Sequence, residues 1–211
     1  MMESSHIDID SSESKLKRYY RFHSHIYDAT RWSFLFGREQ IPDMLPELPS
    51  QPRIMEIGCG TGENIQRLEY HLPDAHILGV DLSRHMLEIA RKKLNDTDRV
   101  SFKQTEYGSQ AVSEGPFDLI LLSYSLTMID NEAEEVLTQI SQDLKPKGHV
   151  AVVDFHTSPF RWFRRWMGVN HVDLRGHILP LLEKYFHPAE TEVHNAYLGL
   201  WSYFQFVGRK K

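Results

Sequence analysis

Seven residues, Glu56-Ile57-Gly58-Cys59-Gly60-Thr61-Gly62, place three glycines directly behind a short apolar run. The apolar run has the length of a buried strand, and the apolar residues after the glycines recur at helical spacing. Glycines between a strand and a helix let the backbone turn sharply, and they let a ligand lie against bare main chain. The first N–H groups of the helix supply further donors. The stretch therefore predicts a ligand-binding turn between a strand and a helix.

The residues around this turn alternate between strand-like and helical patterns. We predict strands at 53–57, 76–80, 100–103, 117–122 and 150–153, helices at 61–72, 83–94 and 132–144, and a turn at 145–148. Alternation at this spacing is typical of a parallel sheet with right-handed crossovers. The residues after 155 are rich in aromatic side chains and end in one more strand-like run.

Asp81 follows the second predicted strand and comes 19 residues after Gly62. The carboxyl ends of parallel strands meet at one edge of the sheet, so this carboxylate is expected beside the glycine turn. A carboxylate in that place can bind both hydroxyl groups of a ribose. The glycine triplet, the helix and the acid together predict a nucleotide site.

The composition limits the class of protein. The chain has 211 residues, and its 24 basic against 29 acidic residues give a net charge of -5, which argues against nucleic acid as a partner. The single cysteine, Cys59, leaves no internal disulfide and fits a reducing compartment. No apolar run approaches the roughly 20 residues of a membrane span. We expect a cytoplasmic protein with a flexible tail (1–14), an N-terminal helical cap (15–50) and one main domain (51–211); the oligomeric state stays open.

The glycine spacing narrows the choice of nucleotide ligand. It is G-x-G-x-G, with Glu56 two residues before the first glycine, and this resembles motif I of the class I S-adenosylmethionine methyltransferases. Residues 117–120 and 144–149 resemble later parts of the same domain. The resemblance implies an α/β, Rossmann-like, doubly wound and mostly parallel seven-stranded sheet. It also implies S-adenosyl-L-methionine as the cofactor and S-adenosyl-L-homocysteine as the product; a nicotinamide-binding Rossmann domain is the alternative.

The same resemblance implies where the cofactor binds. The glycine loop would meet its methionine part, Asp81 its ribose, and Glu106 with Tyr107 its adenine. Cys59 is expected to contribute backbone and not a nucleophile, because no His and Asn set accompanies it. The predicted cofactor-binding residues are Glu56, Gly58, Cys59, Gly60, Thr61, Gly62, Asn64, Asp81, Leu82, Met86, Glu106, Tyr107 and Ser123.

Two flanking segments separate into an apolar and a basic side on a helical wheel. Residues 15–28 predict an amphipathic helix that caps the ligand site, with membrane contact as a compatible role. Residues 160–167 carry two tryptophans on one side and three arginines on the other. Trp and Arg together suit the headgroup boundary of an anionic membrane, so we predict peripheral contact at its inner face. The alternative is a core helix with exposed arginines.

A second resemblance concerns the substrate. Residues 27–38, 123–129 and 152–155 resemble the bacterial diacylglycerylhomoserine N-methyltransferases, as does His171 with Val172. The resemblance implies methylation of a lipid headgroup amine, from diacylglycerylhomoserine to the trimethylated betaine lipid. The alternatives are a phosphatidylethanolamine or quinone-type methyltransferase, an enzyme for a soluble small molecule, and a binding module without chemistry.

Methyl transfer to an amine requires that the amine first loses a proton. Tyr27, Tyr124 and His156 are the predicted catalytic residues, because each could accept or relay that proton, or, for the tyrosines, stabilise cationic charge with the ring. Arg31, Arg38 and His171 are the predicted substrate-binding residues. The alternatives are ordinary packing for the tyrosines and surface ion pairs for the arginines. The twelve histidines form no tight pair with a carboxylate, so no metal site is predicted.

Overall fold

The computed structural model describes residues 34–94, 97–108, 112, 114–129, 132–169 and 172–211. Within these residues, seven strands form one sheet: β1 Arg53–Ile57, β2 His76–Asp81, β3 Val100–Gln104, β4 Phe117–Ser123, β5 Leu144–Phe155, β6 Phe186–Ala196 and β7 Trp201–Lys210. The helices of the same part of the chain are α1 Ile41–Met44, α2 Glu63–His71, α3 Arg84–Leu94, α4 Leu126–Ile129, α5 Ala133–Asp143, α6 Arg161–Val169 and α7 Ile178–Tyr185. None of these described helices is both long and apolar enough to cross a membrane.

The strand order is β3-β2-β1-β4-β5-β7-β6. The first five strands are parallel, and β7 runs antiparallel to both of its neighbours, β5 and β6. Ile57 at the end of β1 pairs with Val80 on one side and with Leu122 on the other. The carboxyl ends of β1, β2 and β4 therefore meet at one edge of the sheet. The predicted α/β, Rossmann-like, mostly parallel seven-stranded sheet is confirmed.

The apolar pattern of the sequence explains the layers. Strands β4 and β5 are buried on both faces, as their continuous apolar runs predict. The helices bury one side only: α3 buries Met86, Leu87, Ala90 and Leu94, and α5 buries Val136, Leu137 and Ile140. The resulting core lies between the sheet and its helices.

Most predicted boundaries differ from the structure by one or two residues, and three differences have a physical reason. The helix predicted from 61 begins at Glu63, because Gly62 has a left-handed backbone (φ 78°) that a helix cannot contain. The predicted turn at 145–148 lies within β5 as a bulge: Phe117 pairs with Leu144, and the next register pair is Leu119 with His149. Beyond residue 155 the sequence predicts one strand-like run, whereas the structure has two paired strands, β6 and β7.

Candidate active site

The glycine turn after β1 has a backbone that side chains would disturb. Gly58 and Gly62 have φ values of 71° and 78°. A Cβ atom on Gly58 would lie 2.8 Å from Ser125 Cβ, and one on Gly62 would lie 2.7 Å from Leu94 Cδ1. The N–H groups of Gly58 and Cys59 both donate to the carbonyl of Val80, at 2.9 and 3.0 Å. The turn is therefore fixed to the end of β2, and Ser125 and Leu94 leave no room for side chains at Gly58 and Gly62.

Asp81 lies against this turn, as the parallel pairing of β1 and β2 predicts. Its Oδ2 accepts a hydrogen bond from the Gly60 N–H at 2.9 Å, and its Oδ1 accepts one from the Ser83 N–H at 2.8 Å. Both bonds come from main chain, so the carboxylate is held in one orientation.

Glu56, which precedes the glycines, is 1% exposed. Its Oε1 accepts a hydrogen bond from Asn64 Nδ2 at 2.6 Å, and Asn64 Oδ1 in turn accepts one from Arg38 Nε at 3.2 Å. Its Oε2 is buried and has no hydrogen-bond partner among the described residues. Burial raises the pKa of Glu56 to about 7, although the bond from Asn64 and the charge of Arg38 oppose the rise.

The glycine turn, Asp81 and Glu56 together test whether the predicted cofactor fits the site. A buried carboxylate oxygen without a donor is costly, and a ligand ammonium group would satisfy it. S-adenosyl-L-methionine carries such a group on its methionine part, and its ribose offers two hydroxyls to Asp81. A nicotinamide dinucleotide carries no ammonium group. The residues of the site therefore fit S-adenosyl-L-methionine, with Glu56 at the methionine end and Asp81 at the ribose.

Cys59 contributes backbone to this turn, and its thiol points inward. The residue is 3% exposed, and a Cβ atom added to Gly79 of β2 would lie 2.9 Å from its sulfur. Burial, followed by the charges of Glu56 and Asp81, raises the pKa of the thiol well above its ordinary value. The thiol is therefore neutral and is not a nucleophile in this structure.

The residues predicted around the adenine differ in their surroundings. Leu82, directly after Asp81, is 47% exposed, and Met86 is buried in α3. Glu106 is exposed. The Tyr107 ring belongs to the hydrophobic core, and its hydroxyl donates to Asp143 Oδ2 at 2.7 Å. Contact between the adenine and Glu106 or Tyr107 stays a prediction.

The end of β4 brings three hydroxyl side chains to the same edge. Ser123 Oγ is buried and lacks a hydrogen-bond partner within the described part of the chain. Tyr124 has a left-handed backbone (φ 55°), and its hydroxyl donates to the Phe36 carbonyl at 2.6 Å. Ser125 Oγ donates to the Ile57 carbonyl at 3.2 Å and packs on Gly58. Burial raises the pKa of Tyr124, so its hydroxyl stays protonated and engaged.

Asp154 is a site residue that the sequence analysis did not single out. It is fully buried, and its carboxylate accepts hydrogen bonds from the N–H groups of Leu126 and Thr127 at 2.8 and 3.1 Å. It thereby holds the start of α4, directly after the β4 loop. Burial raises its pKa to about 6. An acidic residue straight after the apolar run of β5 was the signal that could have identified it.

His156 follows β5 at the same edge of the sheet. Its backbone N–H donates to the Ser202 carbonyl at 2.8 Å. Its ring makes an edge contact with the Phe204 ring, with 6.0 Å between the centroids. Its Nδ1 is buried with no hydrogen-bond partner in the described ranges. Burial lowers the pKa of the imidazole, so the ring is neutral at neutral pH and can accept a proton.

The structure describes some of the predicted substrate-binding and catalytic residues and not others. Arg38 is joined to the cofactor end of the site through Asn64, which favours a carboxylate of the donor over one of the acceptor as its ligand. Tyr27, Arg31 and His171 lie outside the described residues, as does the predicted helix at 15–28. Their roles stay predictions.

Comparisons with known proteins find similarity to methyltransferases. Residues 54–148 match the family model described as a methyltransferase domain. The demethylmenaquinone methyltransferase of Clavibacter sepedonicus is 28% identical over 146 residues, covering 67% of this chain and 58% of that protein. The malonyl-[acyl-carrier protein] O-methyltransferase of Magnetococcus marinus is 33% identical over 122 residues, covering 58% of this chain and 44% of that protein. The chain spans about half the length of the curated relatives it matches.

Two solved structures share the fold. The N-methyltransferase NodS of Bradyrhizobium japonicum, in complex with S-adenosyl-L-homocysteine, has a TM-score of 0.62 at 18% identity and covers 75% of this chain and 78% of its own. Phosphoethanolamine N-methyltransferase 2 of Haemonchus contortus, in complex with phosphomonomethylethanolamine and S-adenosylhomocysteine, has a TM-score of 0.73 at 16% identity. It covers 93% of this chain and 59% of its own.

The sheet order, the glycine turn and these matches define the class. The chain has the Rossmann-like α/β fold of the class I methyltransferases. More particularly, its residues 54–148 match the family model of a methyltransferase domain.

Proposed function

We propose that the chain is an S-adenosyl-L-methionine-dependent N-methyltransferase that methylates the amine of a lipid headgroup, from diacylglycerylhomoserine to the trimethylated betaine lipid. The observation that supports S-adenosyl-L-methionine as the cofactor is the buried Oε2 of Glu56, which lacks a hydrogen-bond partner among the described residues. It lies beside the glycine turn, to which Asp81 is hydrogen-bonded. The methyltransferase domain at 54–148 supports the reaction class. The acceptor rests on the resemblance of residues 27–38, 123–129 and 152–155 to diacylglycerylhomoserine N-methyltransferases.

The structural neighbours support an amine as the acceptor. Both neighbours described above are named N-methyltransferases, and one was solved with phosphomonomethylethanolamine, a small amine that carries a phosphate. Their fold extends over 75% and 93% of this chain. An amine-bearing lipid headgroup is therefore compatible with this architecture, and the chain would act on it as a peripheral protein at the cytoplasmic face of the membrane, without nucleic acid as a partner.

The residues of the site would perform three tasks. When bound, S-adenosyl-L-methionine supplies an electrophilic methyl group. Asp81 and Glu56 bind and orient the donor through its hydroxyls and its ammonium group, while the glycine turn lets it approach the main chain. His156 is the proposed acceptor of the proton that the acceptor ammonium must lose, because its imidazole is neutral and the residue directly follows β5 at this edge of the sheet. Tyr124 is the weaker candidate, since its hydroxyl is bonded to Phe36.

A direct assay separates the acceptors. The purified full chain is incubated with S-adenosyl-L-methionine and vesicles that contain diacylglycerylhomoserine, and lipid mass spectrometry follows the product. We expect successive mass increments of one, two and three methyl groups on the headgroup. Without transfer to this lipid the proposed acceptor is wrong, and without transfer to any amine lipid the N-methyltransferase assignment is wrong.

A quinone-type acceptor is the second candidate. The observation that favours it is the 28% identity with a demethylmenaquinone methyltransferase over 146 residues. This reaction would form a carbon–carbon bond on the reduced quinol ring, and the ring proton at that carbon would have to leave. The same assay with the reduced quinol form of demethylmenaquinone in the vesicles tests it: a mass increment of one methyl group on the quinol would support this candidate, and its absence would contradict it.

A further inference from the structure

Helix α6 exposes large apolar side chains although it is well packed on its inner side. Phe163 and Met167 are buried against the protein. Trp162, Trp166 and Val169 lie on an adjacent stripe of the same helix and are 64%, 50% and 72% exposed. Exposed tryptophans on a helix surface are costly in water, so burying this stripe against another apolar surface would be favourable.

The turn between β6 and β7 exposes a second apolar group. Tyr197, Leu198 and Gly199 all have left-handed backbones, with φ values of 45°, 56° and 90°. This conformation is uncommon for two successive residues with side chains, and it stores strain. Its result is that Tyr197 is half-exposed and the Leu198 side chain is completely exposed.

The two groups form one surface, which we call the aromatic surface: Phe160, Trp162, Trp166, Val169, Tyr197 and Leu198. Two buried rings connect them. Trp201 stacks on Phe163 at 5.5 Å with an angle of 15° between the rings, and Tyr197 lies 4.8 Å from Trp201. Phe163 in turn contacts both Trp162 and Trp166, at 5.6 and 5.7 Å. Trp162, Trp166 and Tyr197 are therefore held by a continuous set of ring contacts.

The charges of helix α6 have one sign. Helix α6 contains three arginines and no acidic residue, in a chain whose net charge is -5. Arg161 and Arg165 are exposed on its outer side. On its other flank, Arg164 and Arg165 line a cleft of about 510 Å³ together with Arg175, which pairs with Asp173. Arginine beside tryptophan is the combination that suits phosphate-bearing headgroups.

The aromatic surface lies at the same edge of the sheet as the candidate active site. Helix α6 follows the carboxyl end of β5, and the turn at 197–199 precedes the start of β7. Since Phe155 at the end of β5 pairs with Tyr203 near the start of antiparallel β7, both elements lie at the edge where β1 and β4 end. A partner bound there is therefore near the strand ends that hold the cofactor site.

We propose that the aromatic surface docks on a bilayer that contains anionic lipids, with the tryptophans and Leu198 in the headgroup region and the α6 arginines on lipid phosphates. The proposal deepens the proposed function and rests on it for the acceptor, because a docked protein meets lipid at the edge that carries its active site. A bilayer fits better than a second copy of the chain, since the α6 arginines of two facing copies would repel each other, whereas anionic headgroups attract them.

Leu198→Asn is the decisive variant. The Leu198 side chain packs on nothing, and Asn tolerates a left-handed backbone better than Leu, so the fold should be retained or slightly stabilised. The full-length protein is sedimented with vesicles of equal parts phosphatidylcholine and phosphatidylglycerol. Loss of one apolar anchor should lower the apparent vesicle affinity about tenfold. Tyr70→Asn is the matched control, because Tyr70 is 83% exposed but lies near the end of α2, at the opposite edge of the sheet.

A second pair of variants tests the charge. Arg161→Gln and Arg165→Gln should each weaken binding about fivefold, and added salt should weaken the wild type in the same way. The proposal is overturned if the wild type does not sediment with these vesicles. It is also overturned if Leu198→Asn and the Trp162→Ala, Trp166→Ala double variant both sediment like the wild type. A dimer that these changes dissociate would overturn it as well, because the surface would then bind a second copy of the chain. Docking without methyl transfer would refute only the proposed function, and methyl transfer without docking only this inference.

Discussion

At the scale of single residues, the buried carboxyl of Glu56 lowers the stability of the folded chain but suits the binding of a ligand ammonium group. Its carboxyl is buried with one unpartnered oxygen among the described residues, and its folded pKa of about 7 lies above the ordinary value of 4.5. Between these pH values the folded chain holds a proton that the unfolded chain has released. Glu56 therefore lowers stability as the pH rises from about 4.5 to about 7. Asp154, with a pKa raised to about 6, acts in the same direction.

Glu56→Gln should therefore stabilise the ligand-free protein at about pH 8 by on the order of 2 kcal/mol and change its stability little at about pH 4. Urea denaturation at the two pH values measures this. The same variant should lose donor affinity, because a neutral amide cannot balance an ammonium group. In the wild type, calorimetry should show donor affinity rising with pH up to about pH 7, with proton release on binding. A variant that binds as tightly as the wild type would contradict the assignment of Glu56.

Asp81→Ala tests the ribose contact. Removing a charge-assisted pair of hydrogen bonds should cost about 1.5–3 kcal/mol, or at least about tenfold in donor affinity measured by calorimetry. Asp74→Ala is the matched control, because Asp74 is an exposed acid outside the site. Unchanged binding by a folded Asp81→Ala variant would remove the ribose from this position.

At the scale of elements, Asp154 joins the end of β5 to the start of α4. Asp154→Ala would leave the buried N–H groups of Leu126 and Thr127 without their acceptor. We expect a loss of about 2–4 kcal/mol of unfolding free energy, and a smaller loss for Asp154→Asn, which keeps one acceptor oxygen. Chemical denaturation at neutral pH compares the two. Equal stability of Asp154→Ala and the wild type would show that the α4 loop is held by other contacts.

The elements also show which parts of the fold and of the candidate site could be predicted from the sequence. The strands β1, β2, β3 and β4 and the helices between them could be predicted, because buried parallel strands have continuous apolar runs and their helices have a clear apolar side. Strand β6 could not, because all but three of its eleven residues are exposed and mostly polar. Glu56 and Asp81 could be placed from the glycine spacing. The Arg38–Asn64–Glu56 contacts could not, because they join residues 26 and 8 positions apart through side chains alone.

At the scale of the whole molecule, the two proposed functions share one edge of the sheet. The cofactor site uses the ends of β1, β2 and β4, and the aromatic surface uses the segments next to the ends of β5 and β7. This division agrees with the general behaviour of open α/β sheets, in which ligands bind outside the carboxyl ends of the strands. The antiparallel β7 extends that edge, because its first residues lie beside the last residues of β5.

The single thiol of Cys59 makes the chain its own reporter of loop opening. Its sulfur lies inside the glycine turn, over Gly79, and the sequence contains no other cysteine to compete for a label. A thiol-reactive dye should therefore modify the native protein only when the turn opens, at a rate far below that of an unfolded chain. Bound S-adenosyl-L-methionine should slow the labelling further, and mass spectrometry over time would give the opening free energy of the site. Native labelling as fast as that of the unfolded chain would contradict this protection.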